Sequence, residues 1–129
     1  MPRATQLTVS RKSRPGVLAQ LARTLADAGV NITTLSADAP GGRGKIRMIV
    51  SNPGKAKRAL NRAKYRPREE HAFVVRLRNE PGALARVAEK LAKARINIKS
   101  AYATTAGRGG ATVVFTVGSA AKARKILGR

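Results

Sequence analysis

The sequence is poor in the residue types that most often carry chemistry. Among its 129 residues there is no cysteine, no tryptophan and one histidine, His71; Tyr65, Tyr102, Phe73 and Phe115 are the whole aromatic set. Without cysteine there is no disulfide, no thiolate nucleophile and no Cys-based zinc or iron–sulfur site, and a single histidine excludes a His-pair metal site. Acidic residues are scarce as well, 6 against 27 Lys plus Arg, for a formal charge of +21. Glu69 and Glu70 would face opposite sides of a strand, and the remaining carboxylates, Asp27, Asp38, Glu80 and Glu89, form no evident acid–base pair. His71 stands in no motif and reads as a surface or strand-edge residue. The expectation is a protein that is not an enzyme and needs no metal or cofactor.

Long apolar runs are also missing. None approaches the roughly 18 residues that span a bilayer, and Met1-Pro2-Arg3-Ala4-Thr5 leads into a polar–apolar alternation, not a secretory core. A cytoplasmic protein with no membrane partner is expected. With 43% hydrophobic residues the chain can bury a core, built mostly from Val, Ile, Leu and Ala. Its length suits one ordinary domain or two very small ones.

The chain repeats itself. At a spacing of 66, Pro15-Gly16-Val17-Leu18-Ala19 meets Pro81-Gly82-Ala83-Leu84-Ala85, and Asn31-Ile32 meets Asn97-Ile98. Residues 7–37 and 73–103 share 12 of 31 positions, five of them Ala, so the Pro-Gly and Asn-Ile matches carry the weight. Beyond the middle hairpin the spacing becomes 67, because only then do Ile46, Met48 and Val50 fall on Val113, Phe115 and Val117. The change is required physically, since a one-residue slip turns a strand's core set to the wrong face.

Each copy reads strand, helix, strand, strand, helix. Leu7 and Val9, then Phe73, Val75 and Leu77, alternate with polar or smaller residues as first strands. Leu18, Leu21, Ala22, Leu25 and Ala28 keep helical spacing, as do Leu84, Val87, Ala88, Leu91 and Ala94, and each helix is entered through a Pro suited to a first turn. Gly29 marks a helix stop. Two strands then follow in each copy, joined through 40–44 and 107–110, with second helices near 53–64 and 120–127. These Gly-rich stretches lack the Lys-Ser/Thr of a phosphate loop and lie between strands, so they read as hairpins. Residues 65–70 read as a polar fourth strand of the first copy, whereas the second copy has no matching segment. The fold class expected is α+β, two ferredoxin-like βαββαβ units in tandem, 5–69 and 70–129, the second lacking its last strand. That lack predicts an open edge at 73–78, closed either by the first copy or by a second chain.

Arg14-Pro15-Gly16-Val17-Leu18 with Ala28-Gly29-Val30-Asn31-Ile32, and Asn79-Glu80-Pro81-Gly82-Ala83-Leu84 with Ile96-Asn97-Ile98, resemble the signature of the ACT domain, a small module that binds amino acids. Leu35-Ser36-Ala37-Asp38, Ile46-Arg47-Met48-Ile49-Val50 and Asn52-Pro53-Gly54-Lys55-Ala56 extend the resemblance to stand-alone proteins made of two such domains. It covers nearly the whole chain, from about residue 6 onward. The resemblance implies a regulatory amino-acid site at the turn after the first strand and at the start of the second, often across an interface between units. The implied residues are Ser13, Arg14, Pro15, Gly16, Val17, Leu18, Asn31 and Ile32, and in the second copy Asn79, Glu80, Pro81, Gly82, Ala83, Leu84, Asn97 and Ile98. Two positions depart from the family pattern: Ser13 stands where Asp or Asn is usual, and Arg95 where Gly is usual.

Elementary chemistry suits such a ligand. A Gly at a helix start lets backbone N–H groups approach a carboxylate where the helix dipole is positive, and an Asn supplies donor and acceptor together. Plainer readings stand beside this one: Pro-Gly as ordinary capping, Asn31 and Asn97 as local turn residues, Arg14 as a solvated charge. The function expected is a non-enzymatic amino-acid-binding regulatory protein, as a homodimer. The alternative is a basic nucleic-acid-associated protein on the same fold, held non-specifically through Lys55, Lys57, Arg58, Arg62 and Lys64 of one second helix and Lys122, Arg124, Lys125 and Arg129 of the other. A structural pair that has lost its ligand is the third possibility.

Overall fold

The computed structural model describes residues 3–105 and 110–127. The chain divides into two compact units, Thr5–Glu70 and a second that joins Met1–Ala4 to His71–Arg129. The first unit runs β1 (Arg3–Lys12), α1 (Val17–Asp27), β2 (Ile32–Asp38), β3 (Arg43–Val50), α2 (Pro53–Arg62) and the start of β4 (Arg68–Arg78). β4 continues into the second unit, followed there by α3 (Ala83–Lys93), β5 (Ile98–Thr105), β6 (Gly110–Val117) and α4 (Ala120–Leu127). The architecture is α+β with the βαββαβ order in tandem.

In the first unit β1 pairs antiparallel with β3, Leu7 opposite Met48 and Val9 opposite Ile46. These residues share one face of the pleat. Leu21 and Leu25 of α1, with Ala56 and Leu60 of α2, close over it into one buried cluster completed by Val30, Val50 and Tyr65. α2 begins as its sequence dictates: Pro53 occupies the first turn and the Asn52 side chain accepts the Lys55 N–H at 3.1 Å. The second unit repeats the plan with Phe73 opposite Phe115 and Val75 opposite Val113. Leu91, Ile96 and Ala123 join them in a separate buried cluster.

Several boundaries differ from the sequence reading, each for a local reason. Pro15 and Pro81 precede their helices instead of lying in the first turn, because Gly16 and Gly82 take the capping position at φ 91° and 88°. The fourth strand starts at Arg68, not at 65, because Lys64 and Arg66 adopt φ of 65° and 51°, outside extended backbone, and Pro67 follows. β4 is an interior strand between β1 and β6, and the free edges are β2 and β5. β1 is longer than the Leu7–Ser10 alternation suggests, and its first residues group with the second unit. Of the second hairpin, residues 106–109 lie outside the described residues.

Three helices end in the same way. After α1 the Gly29 N–H reaches Ala26 O and the Val30 N–H reaches Leu25 O, both at 2.9 Å, with Gly29 left-handed at φ 74°. This double reversal satisfies two otherwise orphaned carbonyls. α2 repeats it around Lys64 and α3 around Arg95, through Ile96 N–H to Leu91 O at 2.9 Å, although neither residue is Gly. A left-handed L-residue costs roughly 1–2 kcal/mol, and the extra chain entropy of an unfolded glycine offsets part of that gain. Arg95→Gly is therefore expected to raise unfolding free energy by about 0.5–1 kcal/mol, read as a higher urea midpoint at unchanged slope. A lower midpoint would show that the Arg95 side chain contributes contacts that outweigh the strain.

Candidate functional site

The turn between β1 and α1 is shaped by Gly16. Its left-handed φ carries the chain from strand to helix, and an added Cβ there would meet nothing within 4 Å. The helix then begins uncapped. The Val17 N–H reaches Arg14 O at 3.3 Å and the first helical bond runs from Gln20 N–H to Gly16 O at 2.9 Å, and no side chain caps the end. The Leu18 and Ala19 N–H groups between them have no acceptor among the described residues, in the positive field of the helix terminus. α3 repeats the geometry: Ala83 N–H to Glu80 O at 3.3 Å, Arg86 N–H to Gly82 O at 3.0 Å, and Leu84 and Ala85 N–H left open. Ser13, Arg14, Pro15 and Gly16 are exposed and Val17 half-buried; Asn79, Glu80, Pro81 and Gly82 are exposed and Ala83 buried.

Asn31 and Asn97 open the second strands. The Asn31 N–H reaches Ser51 Oγ at 3.0 Å and its carbonyl accepts the Ser51 N–H at 2.8 Å; the Asn97 carbonyl accepts the Gly118 N–H at 2.9 Å. The backbones are thus anchored, while the two exposed side-chain amides have no partner among the described residues. The reading of these Asn side chains as local turn-formers is not met. The strand register shifts just beyond each, between Ile32 and Thr34 and between Ile98 and Ser100, the mark of a bulge.

Within one copy the turn and the Asn are not brought together. They lie at opposite ends of a helix of 11 residues, a separation of about 16 Å at 1.5 Å per residue. A free amino acid is far shorter than that.

The two copies differ in charge at the turn. In the first, Arg14 is exposed and has no ion-pair partner among the described residues. In the second, Glu80 Oε1 and Arg86 Nη2 form a 3.2 Å ion pair, and Arg86 Nη1 would lie 3.3 Å from a Cβ at Gly82. The structure keeps the backbone geometry through both departures from the family pattern, Ser13 and the left-handed Arg95, a point that sequence spacing alone does not show. Elsewhere, Lys55, Arg58 and Arg62 of α2 and Lys122, Arg124 and Lys125 of α4 are exposed, with Lys57 paired to Glu69 at 3.3 Å. Arg129 lies outside the described residues. His71 is exposed, as the sequence reading holds. Among the described residues no cluster of His, Cys, Asp and Glu suits a metal ion, and no helix is long and apolar enough to cross a membrane.

The family model of the ACT domain matches this chain twice, at residues 5–66 and 71–129. Among solved structures the chain is similar to protein BT0572 from Bacteroides thetaiotaomicron, with a TM-score of 0.90 at 27% identity over 98% of this chain and 87% of that one. The regulatory subunit of aspartate kinase from Thermus thermophilus, in its ligand-free form, shares the fold at a TM-score of 0.69 and 19% identity, over 97% of this chain and 87% of that one. The corresponding subunit from Thermus flavus gives 0.67 and 18%, over 88% and 82%. A search of curated protein sequences returned no match.

The left-handed glycines generate a test that needs no ligand. Gly16→Ala and Gly82→Ala are each expected to cost about 1–2 kcal/mol, and β-branched replacements more. The neighbour at Gly82 is the end of a flexible Arg86 side chain, so the two costs should be similar. Denaturant unfolding of the two variants measures them, and two neutral substitutions would show that the turn relaxes to another conformation.

Proposed function

Because the chain belongs to the ACT domain family over both of its halves, we propose that it is a non-catalytic regulatory protein that binds a free amino acid and acts, as a homodimer, on a target that is another protein. The observation that carries the reading is the duplicated pairing of an open helix start with an anchored Asn whose side chain is free. The Leu18 and Ala19 N–H groups suit the ligand's carboxylate, as Leu84 and Ala85 do in the second copy. The side-chain carbonyl of Asn31 or Asn97 suits the ammonium.

With the turn and the Asn about 16 Å apart along α1, a complete site is the work of two chains, the turn from one facing the strand start of its partner. Exposed apolar residues lie in the same elements. Leu18 is 42% exposed on α1, Leu84 51% on α3, and Leu35 43% on the free edge strand β2, where it sits opposite core residue Met48. Burying such side chains against a second copy is worth about 25 cal/mol per Å² of apolar surface, and an edge strand is a natural place for it. The similar aspartate kinase subunits are regulatory ones, which agrees with this reading.

A thermal-shift screen of the twenty amino acids on the full chain tests it. One of them, at 100 times its dissociation constant, should add about 2.7 kcal/mol of stability. Asn31→Ala and Asn97→Ala, both at exposed positions, should leave unliganded stability within about 0.5 kcal/mol while weakening that response. Light scattering should give twice the chain mass. A folded protein that responds to no amino acid at millimolar concentration contradicts the binding reading, and a monomer at all concentrations contradicts the shared site.

A further inference from the structure

A cavity of about 690 Å³ lies within the first unit, between α1 and the turn that follows α2. Its walls include Arg11, Gln20, Arg23, Thr24 and Tyr65, with no carboxylate among them. Ala19, whose N–H is open at the start of α1, also lines it, so it adjoins the Gly16 turn, whereas Asn31 is not among its lining residues; its volume falls in the range of small-molecule sites.

Arg11 is the fixed element. Its guanidinium stacks 4.1 Å above the centroid of the Tyr65 ring, and its Nη2–H donates to Lys64 O at 2.9 Å. Those are its only polar or ring partners among the described residues, so the planar fork keeps free N–H donors and an unneutralised charge. Tyr65 is buried to 9% exposure, and its hydroxyl has no hydrogen-bond partner among the described residues. Arg23 adds a second guanidinium, held only loosely by Asp27 at 3.7 Å. Lys64 and Arg66, on either side of Tyr65 in the chain, are both held in left-handed backbone.

The duplication supplies an internal control. At the repeat spacing of 66, Arg11 corresponds to Leu77, which packs against the second core, and Arg23 corresponds to Glu89. The fold therefore accepts an apolar residue at the first position and an acid at the second. The hollow on α3 that shares the equivalent helix face is lined by Arg86, Glu89 and Lys90, so it holds a carboxylate where the first copy has only cations. One stacked guanidinium without a carboxylate partner, a second held only by the exposed Asp27, a free phenol and an uncharged amide, Gln20, are a donor set suited to an anion.

We propose that this cavity binds the phosphate group of a small molecule, through Arg11 and Arg23 with Tyr65 Oη as an added donor. The shared chemistry is the phosphate dianion, whether free or as a small organic phosphomonoester. Calorimetric titration of the full chain with inorganic phosphate and with glucose 6-phosphate, at ionic strength held constant with sodium chloride, tests it. At least one should bind saturably at one per chain. If both bind equally the group alone is recognised, and if only the ester binds the organic part is read as well.

Arg11→Gln and Arg23→Gln should each weaken that binding at least tenfold. Lys122→Gln, which removes the same charge from α4, should change it less than twofold. Arg11→Gln also loses the Tyr65 stack and the bond to Lys64 O; if circular dichroism shows it unfolded, exposed Arg23→Gln decides. The proposal is overturned if neither ligand gives saturable heat, if Lys122→Gln weakens binding as much as Arg23→Gln, or if the only phosphate bound is that of duplex DNA, with an affinity indifferent to Arg23.

Discussion

The antiparallel ladder between the first and third strands of each copy is the constraint on which the rest depends. It sets Leu7 opposite Met48 and Phe73 opposite Phe115, and with that choice decides which face of every strand meets the helices. The same ladder explains why the repeat spacing changes from 66 to 67 across the hairpin, since Phe73 and Phe115 keep the relation of Leu7 and Met48 only if the extra residue is absorbed in the connection. At its far end the approach is close enough that a Cβ on Gly44 would stand 2.9 Å from Arg11 O. That end of β1 is also where the candidate ligand turn departs. The position of the turn is thus a consequence of strand register.

Helix endings show how far backbone geometry outlasts the residue that normally supports it. Gly29, Lys64 and Arg95 occupy equivalent left-handed positions after three helices, and the paired carbonyl bonds around them are the same. The gain from satisfying two helix carbonyls, together with the packing of Val30, Tyr65 and Ile96 into the cores, exceeds a strain of roughly 1–2 kcal/mol. The second copy keeps the shape of the turn leading to Asn97 without a glycine to ease it.

Between the copies, positions divide by what they touch. The buried core positions stay apolar, with Leu77 and Arg11 differing at the edge of the core, while those at the turns and outer helix faces exchange charge freely: Arg14 for Glu80, Gln20 for Arg86, Arg23 for Glu89. One scaffold therefore presents two different electrostatic surfaces, an open cationic turn in the first unit and an ion-paired one in the second. This is what a duplication can do when its core must stay apolar and its rim need not.

Periodicity and repetition in the sequence were enough to determine the tandem βαββαβ plan, the two cores and the location of the Gly16, Gly82, Asn31 and Asn97 pairs, because alternation and helical spacing record which side of each element is buried. They did not reveal that Arg95 is left-handed or that Arg11 lies on Tyr65, for these depend on partners 53 or more residues away or on a local strain that another part of the structure stabilises. The separation of turn and Asn to opposite ends of a helix belongs to the same class. Spacing along a chain orders residues, but only the folded backbone sets the distance between them.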